Sequence, residues 1–317
     1  MRYLRRIFRV AIDAFYAFGE DDGWALASHI ALSALLALFP FLIVLTALAG
    51  FAGSKDVADN VATLLLQTWP SEVADPLARE IHNVLGTTRG DVLTVGVVLA
   101  IYFASSGVDS LRIALNRAYN VTETRPWWLL KLESIAYVLI AAVALLALGF
   151  LIVLAPLAFA TALKYAPWLV LQEQQFTYTR YAVAGIVIVI ALVVAHKWLP
   201  GGKRHFADIA PGVIVTLVLW LVSGIYFGRY LAEFANNYVT TYAGLASAMI
   251  ALVFLYWSAT MFVYGGELNA VILTERERRR AAEEAVRAAS AEARALAQQP
   301  LFQKFMRRMG YEKRKKK

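Results

Sequence analysis

The segment VLTVGVVLAIYFASSGVDSLRIALNRAYNVTETRPWW, Val92–Trp128, orients the rest of the chain. Its first part, Val92–Val108, is almost wholly apolar and approaches the roughly 20 residues that a helix needs to cross a bilayer. Ser105, Ser106 and Gly107 then lead to Asp109, a carboxylate where hydrocarbon should give way to water. Beyond it come Arg112, Arg117, Arg125 and Lys131, interleaved with Tyr119, Trp127 and Trp128. Basic residues and aromatic rings just past an apolar run mark a membrane interface, and the basic excess marks the cytoplasmic one. This helix is expected to end inside, and the other spans count off from it in both directions.

Composition supports that frame. With 60% hydrophobic residues, 17% charged residues and a mean hydropathy of +0.57, an ordinary soluble domain is excluded. The apolar residues are gathered into long runs, so the expected class is an all-α polytopic membrane protein. The chain has no cysteine, which excludes disulfides, thiolate catalysis and Cys-based metal sites. Of its 31 Lys and Arg residues, 14 follow Leu273. The basic excess therefore describes a tail more than a nucleic-acid surface, and no nucleic-acid partner is expected.

At the start, Leu4, Ile7, Phe8, Ala11, Phe15 and Phe18 share one helical face, with Arg2, Arg5, Arg6 and Arg9 elsewhere. Residues 1–23 read as an amphipathic helix lying in the inner interface. A signal peptide is the competing reading, but no apolar core of about 7–15 residues follows the basic start. Six transmembrane helices are expected within a membrane domain at 24–273, at about 25–51, 92–113, 134–163, 181–199, 209–228 and 243–266. Residues 54–91, acidic on balance, form a periplasmic loop. There Val57, Val61, Leu64 and Leu65, then Leu77, Ile81 and Leu85, outline two short helices of a small cap. Lys164–Arg180 and Arg229–Tyr242 read as the other outer loops. The inner segments carry 4, 4, 3 and 14 basic residues and the outer loops 3, 2 and 1. This places both termini in the cytoplasm, in keeping with the positive-inside rule.

Pro40 and Pro156 are expected to kink the first and third spans, since proline removes a backbone donor and neighbours must satisfy the freed carbonyl. A simple packing kink is the plainer reading of Pro40. Asp208 is placed as a cap of the fifth span, with Pro211 in its first turn. Residues 274–317 read as a cytoplasmic charged helix, supported by Glu283 and Arg287 at i,i+4. The basic tail Lys304–Lys317 follows, either drawn to anionic lipid headgroups or simply solvated.

His29, Asp109, Asp208 and Glu267 fall towards the cytoplasmic ends of four spans, with Arg112 and Asn269 close to them in sequence. Ionisable groups near a membrane are costly and usually face a water-filled cavity or one another, so one shared polar cavity accounts for the set. Each also has a simpler reading. Asp109 pairs with Arg112, Asp208 caps a helix, and Glu267 sits in interfacial water. The four histidines lie in separate segments without a metal spacing, and no phosphate loop or G-x-S-x-G elbow occurs. No metal, cofactor or enzyme activity is expected. Gly and Ala on the spans permit close helix packing, compatible with a monomer or a homo-oligomer.

Four stretches together resemble the BrkB/YihY family of bacterial inner-membrane proteins. They are ASHIALSALLALFPFLIVLTALAGF from Ala27, GVDSLRIALNRAYNV from Gly107, DIAPG from Asp208 and YAGLASAMIALVFLYWSATMFVYGGELNA from Tyr242. The resemblance covers roughly residues 10–275 and implies a six-span inner-membrane protein with no settled activity and no catalytic residues to carry over. An old ribonuclease BN label attached to some members finds no support in this inventory of side chains. The favoured expectation is transport of an amphipathic or lipid-like substrate, with a membrane scaffold or envelope assembly factor as the alternative. Membrane lipids are the expected partners.

Overall fold

The computed structural model describes residues 2–51, 90–149, 173–242, 246–298 and 300–309, with residues 151, 155, 156, 159 and 165 between them. Among these residues there is no strand. The helices are α1 Arg2–Glu20, α2 Gly23–Phe51, α3 Gly90–Ala118, α4 Trp127–Gly149, α5 Glu173–Trp198, α6 Phe206–Tyr242, α7 Ala246–Gln298 and α8 Pro300–Arg308. Five of them, α3 to α7, contain stretches long and apolar enough to cross a membrane, and Gly23–Leu38 of α2 is a shorter apolar helix. Residues 54–89 of the expected cap and the extreme tail at 310–317 lie outside the described residues, and Gly90 and Asp91 already belong to α3.

Helix α1 touches its neighbours along a narrow stripe. Ala14 and Phe18 are buried, and the Ala11 carbonyl accepts from the Tyr264 hydroxyl at 3.0 Å. Ile7, Phe8 and Phe15 stay exposed, so the apolar face is wider than the part that packs. The chain then reverses at Asp22, which takes the left-handed conformation (φ 54°) that Asp tolerates better than most residues. Gly23 follows because any Cβ there would run into the Phe18 ring and carbonyl. Trp24 meets Phe18 edge-on at 4.8 Å, closing the corner.

Helix α3 ends in a Schellman motif. Asn120, at φ 51°, donates its N–H to the Arg117 carbonyl at 2.9 Å, and the Val121 N–H reaches the Asn116 carbonyl at 2.8 Å. The α5–α6 connection turns at Gly202, whose φ of 84° requires glycine. Helices α6 and α7 are antiparallel and unusually close. A Cβ at Gly212 would strike the Gly265 carbonyl, and one at Gly265 would strike the Thr216 hydroxyl. Trp220 continues the seam by donating to the Ser258 carbonyl at 3.0 Å. Small residues permit this approach of backbones, as in other membrane helix pairs.

The core of this first unit, Met1–Ala270, gathers Phe18, Ala27, Ile30, Ala114, Leu115, Leu192, Leu199, Val213, Phe262 and Val263 from six helices. Outside it, Leu139, Val143, Ile186, Ile190, Leu221 and Ile225 are exposed, as hydrocarbon-facing side chains should be. The second unit, Val271–Lys317, is mainly exposed charged helix with an Arg279–Glu275 pair at 2.7 Å.

Several expected boundaries need correction. Helix α4 begins at Trp127 rather than 134, and α5 at Glu173, so Glu173–Arg180 is not loop. Arg229–Tyr242, expected as an outer loop, is the last part of α6. Charged and amide residues interrupt an apolar run without breaking a helix, and no Pro or Gly lies between Gly228 and Tyr242 to stop it. Because α6 starts at Phe206, Pro211 lies in its second turn and leaves one helical carbonyl without its usual donor. Asp208 lies inside the first turn rather than before it, and its carboxylate accepts from the His205 N–H at 3.3 Å. That is the reach-back half of a capping box. Pro40 falls within α2, and Pro156 is helical.

Candidate functional site

Three polar clusters sit among the apolar helices; of the six candidate residues Asp109 and Arg112 fall in the first and Glu267 and Asn269 in the third, while His29 stands beside the first and Asp208 stays at the start of α6. The first joins α3 to α4. Asp109 Oδ1 accepts from Arg112 Nη2 at 2.5 Å and from the Ser134 hydroxyl at 2.5 Å. Its other oxygen accepts from Lys131 Nζ at 3.1 Å. Arg112 is buried and also donates to Ser134 Oγ at 3.0 Å and to the Leu130 carbonyl at 3.2 Å. One carboxylate thus serves two cations, and a buried guanidinium has its donors directed to oxygen, as burial of a charge requires. His29 is adjacent but separate. Its Nδ1 lies 3.0 Å from the hydroxyl of Ser110, while the residue remains exposed.

The second cluster ties two loops together. Arg125 grips Glu123 with Nε at 2.8 Å and Nη2 at 2.7 Å. It reaches Glu133 with Nη1 at 2.7 Å and the Leu199 carbonyl at 3.1 Å. Asn116 completes the link, donating to Glu123 at 3.0 Å and accepting from the Gly201 N–H at 2.7 Å. The hydrogen bonds from Arg125 hold the Glu123 carboxyl down at about 2. This knot fixes the α3–α4 and α5–α6 turns against each other.

The third cluster lies in the α3, α5, α6 and α7 core. Asn269 is completely buried; its Oδ1 accepts from the Gly212 N–H at 2.6 Å and its Nδ2 donates to the Tyr119 hydroxyl at 3.1 Å. The Arg204 guanidinium lies over the Tyr119 ring at 3.9 Å, a cation–π contact. Burial pushes the Tyr119 phenol up to about 12. Glu267 is buried to 1% exposure, yet forms no hydrogen bond or ion pair among the described residues. His196 is also fully buried, stacked at a tilt on Phe262 at 4.7 Å, and neither of its ring nitrogens has a partner. One Arg204 nitrogen, Nη1, is likewise buried and unpartnered.

The structure therefore brings Asn269 and Glu267 into one core and keeps Asp109 and Arg112 in another. Among the described residues no hydrogen bond or ion pair joins the two groups. Sequence reasoning did not single out Tyr119, His196, Arg204 or Ser134. The one usable signal was His196, an ionisable residue closing a long apolar run. The others come from turns or from opposite faces, and only folding assembles them. Among the described residues, no group of three His, Asp or Glu gathers as metal ligands do.

Comparison with known proteins accords with this architecture. Residues 14–289 match the family described as Virulence factor BrkB. A similar protein is the putative ribonuclease-like protein YfkH of Bacillus subtilis (strain 168), 26% identical over 268 residues that cover 82% of this chain and 94% of the relative. Another is the UPF0761 membrane protein RC1_0578 of Rhodospirillum centenum (strain ATCC 51521 / SW), 24% identical over 265 residues. That match covers 80% of this chain but only 55% of the relative, so the chain spans about half of the longer protein. No solved structure matches. A family match over most of the chain, joined to an apolar all-helical bundle, shows that the chain belongs to the BrkB family of membrane proteins.

Proposed function

We propose that this protein moves an amphipathic, lipid-like substrate across or between leaflets of a bacterial inner membrane, with both termini in the cytoplasm. The observation that carries this reading is the deep burial of three polar side chains in one helical bundle, Glu267 at 1% exposure and Asn269 and His196 at 0%. An imidazole whose two ring nitrogens are buried without hydrogen-bond partners, and a carboxyl group buried to 1% exposure, are expensive inside an apolar bundle, by several kcal/mol if either is charged. Membrane proteins keep such groups where a substrate or ion passes. Stability alone would favour apolar residues of similar volume. The exposed apolar face of α1, with Arg5, Arg6 and Arg9 on the same helix, suits a protein working at the headgroup level. Non-enzymatic action is part of the proposal, and the ribonuclease-like name is that of the Bacillus relative.

The test is lipid movement in proteoliposomes, following a fluorescent phospholipid analogue by its accessibility to an aqueous reductant. Wild type should exceed empty vesicles, and Glu267→Gln should fall towards them while remaining folded. Equal rates in wild type and empty vesicles would remove the transport reading for that substrate class.

A second reading, a membrane scaffold or assembly factor, is favoured by the Asp109 and Arg125 clusters. Both are internally satisfied and lie at helix ends and turns, as structural knots do. It predicts that truncation after Leu273 abolishes function whereas Glu267→Gln does not.

A further inference from the structure

We infer that α8, Pro300–Arg308, is a docking helix for the anionic surface of a phospholipid membrane. The sequence gives only a basic tail here, but the residues fold into a helix whose apolar side chains gather to one side. At 3.6 residues per turn, Leu301, Phe302, Phe305, Met306 and Met309 fall within one arc. Lys304 and Arg308 flank that arc along its Leu301 edge. Leu301 is 81% exposed, Phe305 57% and Met309 65%. The unit that contains α8 offers them no core, since the preceding helix is exposed along its length from Arg278 to Leu296. A nine-residue helix with an uncovered apolar face is marginal alone in water and gains its stability from what covers that face.

Charge selects the occupant. Lys304 and Arg308 are both exposed beside the apolar arc, and Lys313, Arg314, Lys315, Lys316 and Lys317 follow closely in the sequence. A protein groove lined for this helix would need apolar burial and acidic rims. An anionic bilayer supplies both at once, hydrocarbon for Phe305 and Leu301 and phosphates for the cations. The chain is already membrane-embedded, so the surface is at high local concentration. The inference does not depend on transport and holds equally for a scaffold.

The experiment exploits the absence of native cysteine. A Phe305→Cys variant of the full chain, labelled with a polarity-sensitive fluorophore, is placed in nanodiscs of phosphatidylcholine alone or with phosphatidylglycerol. With phosphatidylglycerol the emission should shift to the blue and quenching by aqueous iodide should fall several-fold. High salt should reverse much of the change by screening, and adding Lys304→Glu and Arg308→Glu should reverse it with no effect on yield. Emission and quenching that are identical in both lipids would overturn the inference. So would a blue shift that ignores lipid charge but follows the number of chains per disc, which would assign the face to a second copy. As a control, the same label on Arg287→Cys, in the exposed helix before α8, should report water in every condition.

Discussion

Asn269 and Gly212 lock α7 to α6: the Gly212 N–H donates to the Asn269 carboxamide oxygen at 2.6 Å, and both residues are buried. The contact depends on glycine, because a methyl group at position 212 would strike the Gly265 carbonyl and the Asn269 amide. Gly212→Ala should lower stability by about 1–3 kcal/mol through overpacking. Asn269→Leu should cost a similar amount by stranding a buried N–H and the Tyr119 hydroxyl. Thermal unfolding in detergent checks both, with exposed Ile214→Ala as the control. A Gly212→Ala protein that melts like wild type would refute the close seam.

Arg125 should be more sensitive to substitution than its partly exposed position suggests, because four acceptors converge on it. Arg125→Gln should destabilise by about 2 kcal/mol, the scale of losing hydrogen bonds to charged groups. The pH dependence follows from Glu123, whose carboxyl is lowered from an ordinary 4.5 to about 2 by Arg125. A lowered carboxyl stabilises the fold when ionised, so the gain is complete above its ordinary value. It fades as pH falls from there towards about 2. Wild type should lose stability across that window, and Arg125→Gln should lose less of it. Parallel acid-melting curves would contradict the assignment.

Asp109 and Arg112 should behave as one unit. Asp109→Asn leaves buried Arg112 beside Lys131 without a counter-charge, and breaking such a pair costs about 3–5 kcal/mol. The double variant Asp109→Asn/Arg112→Met should recover part of that loss, and a double-mutant cycle reads the coupling directly. Additive losses would show that the two side chains act independently.

The inward assignment of the α5–α6 turn is testable with the same cysteine-free background. Lys203→Cys should react with a membrane-impermeant maleimide only after spheroplasts are opened, whereas Lys55→Cys should react in intact ones. The reverse pattern would invert the topology.

How much of this was legible in the sequence follows from the physics of each signal. Hydropathy reports where lipid is tolerated, so the membrane class and the apolar centres of the spans were readable. It says little about where a backbone stops being helical, which is why α6 runs on to Tyr242 through Arg229. The Asp109–Arg112 pair lies at i,i+3, a spacing that local geometry makes readable. Lys131 and Ser134 join it from the next helix, and nothing local announces them. Asn269 and Gly212 are 57 residues apart, and Asn269 and Tyr119 are 150 apart. Those contacts exist only because two glycines let α6 and α7 approach. Partnerless His196 and buried Glu267 could be recognised as unusual only once their surroundings were known.

The most direct measurement of the central claim is native mass spectrometry of the protein released gently from membranes, for wild type and for Glu267→Gln. If the buried core around Glu267 handles a lipid-like substrate, wild type should retain a defined lipid beyond the bulk annulus, and the variant should lose it while keeping the same melting temperature. The same bulk lipids on both proteins, with no defined species, would contradict the claim and favour the scaffold.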